Sequence, residues 1–199
     1  MTRPINRRRS AFSLLEALLA VSIMAIAGGA IMLALTSSVQ TTQVSVETSI
    51  AMGIAEQLID EVIGQRYAAA SAGPYQNPLT ANAWELDGQG RERYDDTDDY
   101  NGFAAQPVEN IQGQELGQGD PGGYSRPPNF RLPAGYFSAW REEIEVYYVD
   151  ATDHSIRLDP GVTSDYRAVE VRILRDNPDG TQRDLANLRR VYAYVPAPQ

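Results

Sequence analysis

Asp95, Asp96, Asp98 and Asp99 place four carboxylates in five consecutive positions, within the stretch Arg91 to Phe103, RERYDDTDDYNGF. Charges so close repel one another unless a cation or arginines compensate them. Calcium takes about six to eight oxygen ligands and suits loops of this composition. The EF-hand spacing fails, however. Aligning Gly102 with the turn glycine puts Thr97 at the first ligand position and Val108 at the last. The four aspartates are therefore possible calcium ligands with no metal firmly expected. The favoured reading is a solvated acidic turn, partly paired with Arg91 and Arg93.

A fifth carboxylate is conspicuous for a different reason. Glu16 lies almost at the start of a long apolar run, where an ionisable side chain costs a few kcal/mol or more, roughly 3 on insertion scales. Other chemistry has little support. The chain has no cysteine, which removes disulfides, thiolate zinc sites and cysteine nucleophiles. Its one histidine, His154, lies in ATDHSIRLD, a turn between strands where an exposed polar residue is the simplest reading. No glycine-rich phosphate loop, HExxH or nucleophile elbow occurs, so no catalytic residue is assigned and no enzyme is expected. A net charge of −9 argues against nucleic-acid binding, which needs a basic footprint.

The elements that must position these residues begin with the apolar run. Ala17 to Leu35 is nineteen residues without a charge, about 28 Å as a helix, which matches the hydrocarbon thickness of a bilayer. Arg3, Arg7, Arg8 and Arg9 precede it with no acidic residue before Glu16, and an acidic remainder follows. That asymmetry is the positive-inside pattern, which orients the N-terminus in the cytoplasm and the rest outside. A secretory signal peptide would have a shorter apolar region of about 7–15 residues and then a small-x-small cleavage site. A plain signal anchor fits the length but gives no reason for Glu16.

The stretch Ala11-Phe12-Ser13-Leu14-Leu15-Glu16, following a basic leader and preceding the apolar run, resembles the cleavage and methylation site of type IV prepilins and type II secretion pseudopilins. The resemblance implies that a prepilin peptidase cuts between Ala11 and Phe12 on the cytoplasmic face, and that the new amine of Phe12 is methylated. Ala11 stands where the family more often has glycine. The resemblance further implies that the Phe12 amine of one subunit meets the Glu16 carboxylate of a neighbour. Such pairing removes most of the cost of burying either charge and sets the register between subunits. The implied partners are the peptidase, other pilin or pseudopilin subunits and inner-membrane lipid. The implied location is the bacterial inner membrane in a single pass, with a periplasmic head, and then a pilus or pseudopilus.

Beyond Leu35 the pattern becomes amphipathic. Val46, Ile50, Ile54, Leu58 and Val62 recur every fourth residue, widened by Ile59 and Ile63, with Glu47, Glu56, Asp60 and Glu61 mostly off the stripe. No proline interrupts 12–66, so one continuous helix of about 80 Å is expected. Gly28-Gly29 would then mark either a bend or a close helix contact. Ser71 to Gly135 holds ten glycines and seven prolines and reads as irregular structure wrapped on a surface. Glu143–Val149 and Val169–Ile173 alternate as strands, Asp176–Gly180 is a turn, and Leu188–Val195 is a last strand antiparallel to 167–175. Tyr147, Tyr148, Tyr192 and Tyr194 fall on these strands, where core or sheet-face packing is expected.

The organisation expected is therefore a leader (1–11), a transmembrane or filament-core helix (12–35), its amphipathic continuation (36–66), an irregular part of the head (67–138) and an antiparallel sheet (139–199). That is an α+β layout of the pilin type. The acidic segment is also similar to the Asp-Asp-x-Asp-Asp-Tyr loop of some minor pilins, such as those of mannose-sensitive haemagglutinin pili. The absence of a C-terminal cysteine pair favours a minor subunit. Two other classes compete: a single-pass anchored periplasmic binding domain that does not polymerise, and a secreted metal-dependent enzyme resting on the aspartates alone.

Overall fold

The structure, a computed structural model, describes residues 13–69, 72–117 and 127–196. Ala11 and Phe12 lie outside the described residues. Helix α1 spans Leu14–Ile63, α2 spans Ala83–Leu86, and the strands are β1 (Phe103–Ala105), β2 (Trp140–Tyr148), β3 (Tyr166–Asp176) and β4 (Gln182–Ala193), with a 3-10 turn at Pro128–Phe130. The chain divides into two compact units, the first ending at Val46 and the second beginning at Glu47.

Among its described residues the first unit has α1 as its one element. Its apolar side chains are uncovered: Leu14, Leu15, Met24, Ile26 and Leu33 are all more than 70% exposed. The few hydroxyls bond back to the helix's own carbonyls, Ser22 Oγ to Leu18 O and Thr36 Oγ1 to Met32 O, each at 2.9 Å. Such back-bonding satisfies a hydroxyl without water, which an apolar environment requires. The helix runs through Gly28-Gly29 without a break, and a Cβ at either would meet nothing within 4 Å. This helix is long and apolar enough to cross a membrane.

The second unit is a four-stranded antiparallel sheet in the order β1-β2-β3-β4, with the end of α1 in its core. The core draws on Ala51, Ile54, Ala55, Leu58, Ile59 and Val62 of α1 and on Trp140, Ile144, Val146, Tyr148, Val169, Val171 and Ile173 of the sheet. Strand alternation supplies the sheet's contribution: successive side chains point to opposite faces, and these residues share one parity along each strand. The β3–β4 hairpin turns through Asn177–Thr181, closed by Asn177 N–H donating to Thr181 O at 2.8 Å, with Gly180 at φ 81°. Leu185 is an extra residue in β4, where the register shifts opposite Ile173/Leu174. Such a bulge bends its strand locally.

An α+β layout with one long N-terminal apolar helix and an antiparallel sheet is as expected. Four details differ. The α1 stripe is centred one position on from the one expected: Ala51 and Ala55 are fully buried, whereas Val46 is 49% exposed. Small side chains let the helix approach closely, and alanine carries no apolar signal strong enough to mark a stripe. Glu47, expected off the stripe, is buried at 5% exposure and paired with Arg175 and Arg183. Burial alone would raise its carboxyl, but hydrogen bonds and charge from the two arginines hold it below the ordinary value. The glycine- and proline-rich region is more than a wrapping, since Leu79, Tyr94, Tyr100 and Val108 are core residues. It also contains α2 and β1, each of four residues or fewer, too short to show a period. His154 is exposed as expected, its ring 4.5 Å from that of Tyr166.

Candidate functional site

Two places gather the residues singled out in the sequence. The first is the start of α1. Glu16 lies in its first turn and its N–H donates to Ser13 Oγ at 3.2 Å, which is how an N-capping serine satisfies an otherwise unpaired helix donor. A carboxylate in a first turn also interacts favourably with the helix dipole, by about 0.3–1 kcal/mol. Ser13 and Glu16 thus have a local role in starting the helix that the sequence reading missed, although serine followed three residues later by glutamate is the capping-box signature. From Ser13 to Val46, Glu16 is the one charged residue.

The second is the aspartate loop, which is not a solvated turn. Asp96, Asp98 and Asp99 are 1%, 2% and 4% exposed. The loop folds on its own backbone: Asp99 Oδ2 accepts from the N–H groups of Asp95 (2.9 Å) and Asp96 (3.2 Å), and Asp96 Oδ1 accepts from Asp98 N–H at 3.0 Å. Nor do Arg91 and Arg93 compensate it. Arg91 pairs with Glu61 and Glu142, and Arg93 with Asp87. The arginines that do serve the loop are Arg66, paired with the exposed Asp95, and Arg167, whose Nη1 lies 3.4 Å from Asp98 Oδ1.

Arg167 is fully buried in β3. Its Nη1 also donates to Thr97 Oγ1 at 2.9 Å, and its Nη2 to Tyr148 Oη and Pro74 O, each at 3.1 Å. The guanidinium stacks on the Tyr67 ring at 4.2 Å and lies 5.1 Å from that of Tyr148. One cation thereby ties the loop to Tyr67, four residues beyond α1, to Pro74 and to β2. Gln76, with its amide nitrogen turned inward, donates to both oxygens of Asp98 at 2.8 Å. Glu85, the second buried acid beside the loop, is held by the α2 capping box, accepting from Asn82 N–H at 2.6 Å.

The electrostatic result, among the described residues, is a carboxyl cluster with fewer cations than carboxyls. Ligand oxygens of Asp96, Asp98 and Asp99 lie within 4.8 Å of one another, as do those of Glu85, Asp95 and Asp99. Burial, reinforced by the neighbouring Asp98 carboxyl, pushes Asp96 up to about 7. Burial and the hydrogen bond shared with Glu85 push Asp99 up to about 7, against the lowering effect of its backbone donors. With Asp96 and Asp99 both raised by burial, these two carboxyls favour the protonated form up to near neutrality. The cluster's spacing also suits a single cation with bonds of about 2.4 Å.

Arg167 and Glu85 are the members the sequence reading missed. Arg167 was findable, because it shares its parity along β3 with Val169, Val171 and Ile173, the inward face. Glu85 was not, since its burial depends on how α2 packs. No family model, curated protein or solved structure matches this chain.

Proposed function

We propose that this chain is a structural subunit, a minor pilin or pseudopilin, of a type IV pilus or type II secretion filament. It assembles through its N-terminal helix after cleavage by a prepilin peptidase. The observation that carries this reading is a helix half whose apolar surface is uncovered over Leu14–Val39, bearing a single carboxylate, Glu16, in its first turn, directly after a basic leader and Ala11-Phe12. A lone anchor needs the apolar surface and a basic flank to orient it, but has no need of the carboxylate. The α+β layout and the second unit, whose core is complete without the apolar half of α1, are in keeping with a head carried on an assembly helix.

On this reading the leader remains cytoplasmic, the helix waits in the inner membrane and the head is periplasmic. Subunits then pack helix on helix, with the methylated amine of Phe12 paired to a neighbour's Glu16. The cost of a desolvated charge makes that pairing a register device, because a shift along the helix leaves both charges buried alone.

The test is chemical. Mass spectrometry of the chain extracted from the membrane is expected to find N-methylated Phe12 at the N-terminus, and a bulky replacement of Ala11 to abolish processing. An intact Met1, or a cut after the apolar run, would leave an anchored or secreted domain as the correct class. Glu16→Gln and Glu16→Val are expected to insert as well as wild type, because a costly charge is gone. Both should be lost from filaments by tenfold or more, the effect of about 1.4 kcal/mol per subunit contact. Normal filament incorporation of both variants would exclude the register role.

A further inference from the structure

An open cavity in the second unit has no part in the assembly helix. It holds about 170 Å³ and lies between the end of β2, the segment 77–79 and the loop 157–162. Leu79, Val146, Tyr147, Leu158, Pro160 and Val162 give it a largely apolar lining. A cavity of about 150 Å³ with an apolar lining is enough to hold a benzene ring. Its walls are fixed in advance. Asn101 Nδ2 donates to Leu79 O at 2.9 Å while its Oδ1 accepts from Val146 N–H at 3.0 Å, and Leu158 N–H donates to Tyr148 O at 3.0 Å. Val162 N–H donates to Asp159 O at 3.0 Å across a turn that holds Gly161 at φ 100°. A hole formed in advance costs little ordering when it is filled.

The same chain displays a ring of matching size. Phe130 is 73% exposed, the most exposed aromatic side chain among the described residues. A single exposed apolar residue is ordinary, but this one is held out on a stiff loop. Pro127, Pro128 and Pro133 restrict the backbone around it, and Phe130 N–H donates to Pro127 O at 2.8 Å. Below the tip, Leu132 packs against the core and its N–H donates to Gly117 O at 3.3 Å. A rigid aromatic anchor that fills a pocket is the usual centre of a protein interface.

Charge points the same way. Residues 127–139 carry Arg131 and no acid. Residues 150–165 carry four aspartates and one arginine, Arg157, which is paired with Glu145 at 2.6 Å. Asp159 is exposed and belongs to the cavity wall. A loop that brings Phe130 to the cavity brings Arg131 to that acidic rim, and opposite charges across a contact fix its register.

Phe130, being exposed, does not fill the cavity of its own chain. Its loop runs into β2 at the Trp140 end, whereas the cavity lies beside Val146, Tyr147 and Tyr148 at the other end. Knob and hole are thus different surfaces, so a contact that joins them is head to tail. Repeated without closure, it generates an open filament and not a symmetric dimer.

We propose that Phe130 of one copy inserts into the cavity between β2 and the 157–162 loop of the next copy, with Arg131 set against Asp159. This deepens the filament reading and rests on it for what brings neighbouring heads together.

A chain without cysteine makes cross-linking clean. Full-length Asn129→Cys and Val162→Cys chains, extracted from the membrane, are mixed in proteoliposomes and treated with a short bismaleimide. The mixture is expected to give a heterodimer, a chain carrying both substitutions a ladder, and either single variant monomer only. Adding Phe130→Ser, at an exposed position that the core does not use, should cut the yield by about tenfold or more, as for an interface anchor. Arg131→Asp and Asp159→Arg should each lower the yield severalfold and restore it when combined in one chain. No heterodimer, dimers of a single variant, or a yield that Phe130→Ser leaves unchanged overturns the contact. The N-terminus of the same sample, read by mass spectrometry, keeps the two readings apart. A ladder from unprocessed chains upholds the contact without the pilin assignment, and methylated Phe12 without a ladder overturns the contact alone.

Discussion

Arg167→Met is expected to destabilise the globular unit severely, by about 3–5 kcal/mol, the cost of leaving a buried charge without its partner. For a unit of this size each kcal/mol shifts the melting temperature by about 2–4 °C, so a drop on the order of 10 °C or more is expected. The large effect follows from what the side chain does. It is fully buried, it is paired with Asp98, and its other hydrogen bonds go to Thr97, Tyr148 and the carbonyls of Tyr67 and Pro74. Arg167→Lys keeps a charge but loses the planar fork and the stacking on Tyr67, so it should fall between wild type and Met. Adding Asp98→Asn to Arg167→Met should recover part of the loss, because the orphaned charge is then gone. Thermal melting followed by near-UV circular dichroism, where the tyrosines report, is the measurement. A melting temperature for Arg167→Met within two degrees of wild type would show that Asp98 is compensated some other way.

Arg167 also shows where a sequence stops being legible. The hairpin of β3 and β4, its turn and the long helix follow from local rules: period-2 alternation, a turn rich in Asn, Pro, Asp and Gly, and an apolar run without proline. The aspartate run was visible, but its setting was not. Acid next to acid reads as a surface feature, because burial is paid for elsewhere, here by arginines sixty-nine residues on at Arg167 and twenty-nine back at Arg66. Sequence spacing carries no information on such pairings. The same holds for Glu47, which finds Arg175 and Arg183 across more than a hundred residues. Parity along the strand was the signal available: Arg167 and Glu142 both fall on the inward side of otherwise apolar rows. A charge at an inward position predicts a buried partner, though it does not say which.

Alkaline conditions are expected to weaken the globular unit well before they reach ordinary carboxylate chemistry in reverse. Asp96 and Asp99 are raised from 3.8 to about 7, and Glu142 from 4.5 to about 7, with burial the main cause in each. Between roughly pH 4 and 7 the folded chain therefore holds protons that the unfolded chain has released. Stability from these groups is complete below about pH 4 and is lost as pH rises through 7. The groups held low act in the other direction. Glu47 is kept down by Arg175 and Arg183 against the effect of burial, and Asp176 by hydrogen bonds from Gln182 and Gln106. Their contribution is present above about pH 4.5 and is lost as pH falls. The two sets leave a maximum in mildly acidic solution, near pH 5. The melting temperature at pH 5.5 should exceed that at pH 8.5 by several degrees, and Asp96→Asn with Asp99→Asn should remove most of the difference. A melting temperature that is flat or rising from pH 5.5 to 8.5 would mean that both aspartates are ionised in the folded state. Divalent ions separate the two counter-charges the cluster's geometry accepts. At pH 8, millimolar calcium is expected to do no more than sodium chloride of matched ionic strength, the effect of screening alone. A calcium-specific rise that magnesium does not reproduce would instead make a cation the counter-charge of the loop, since calcium tolerates irregular oxygen geometry where magnesium demands an octahedron.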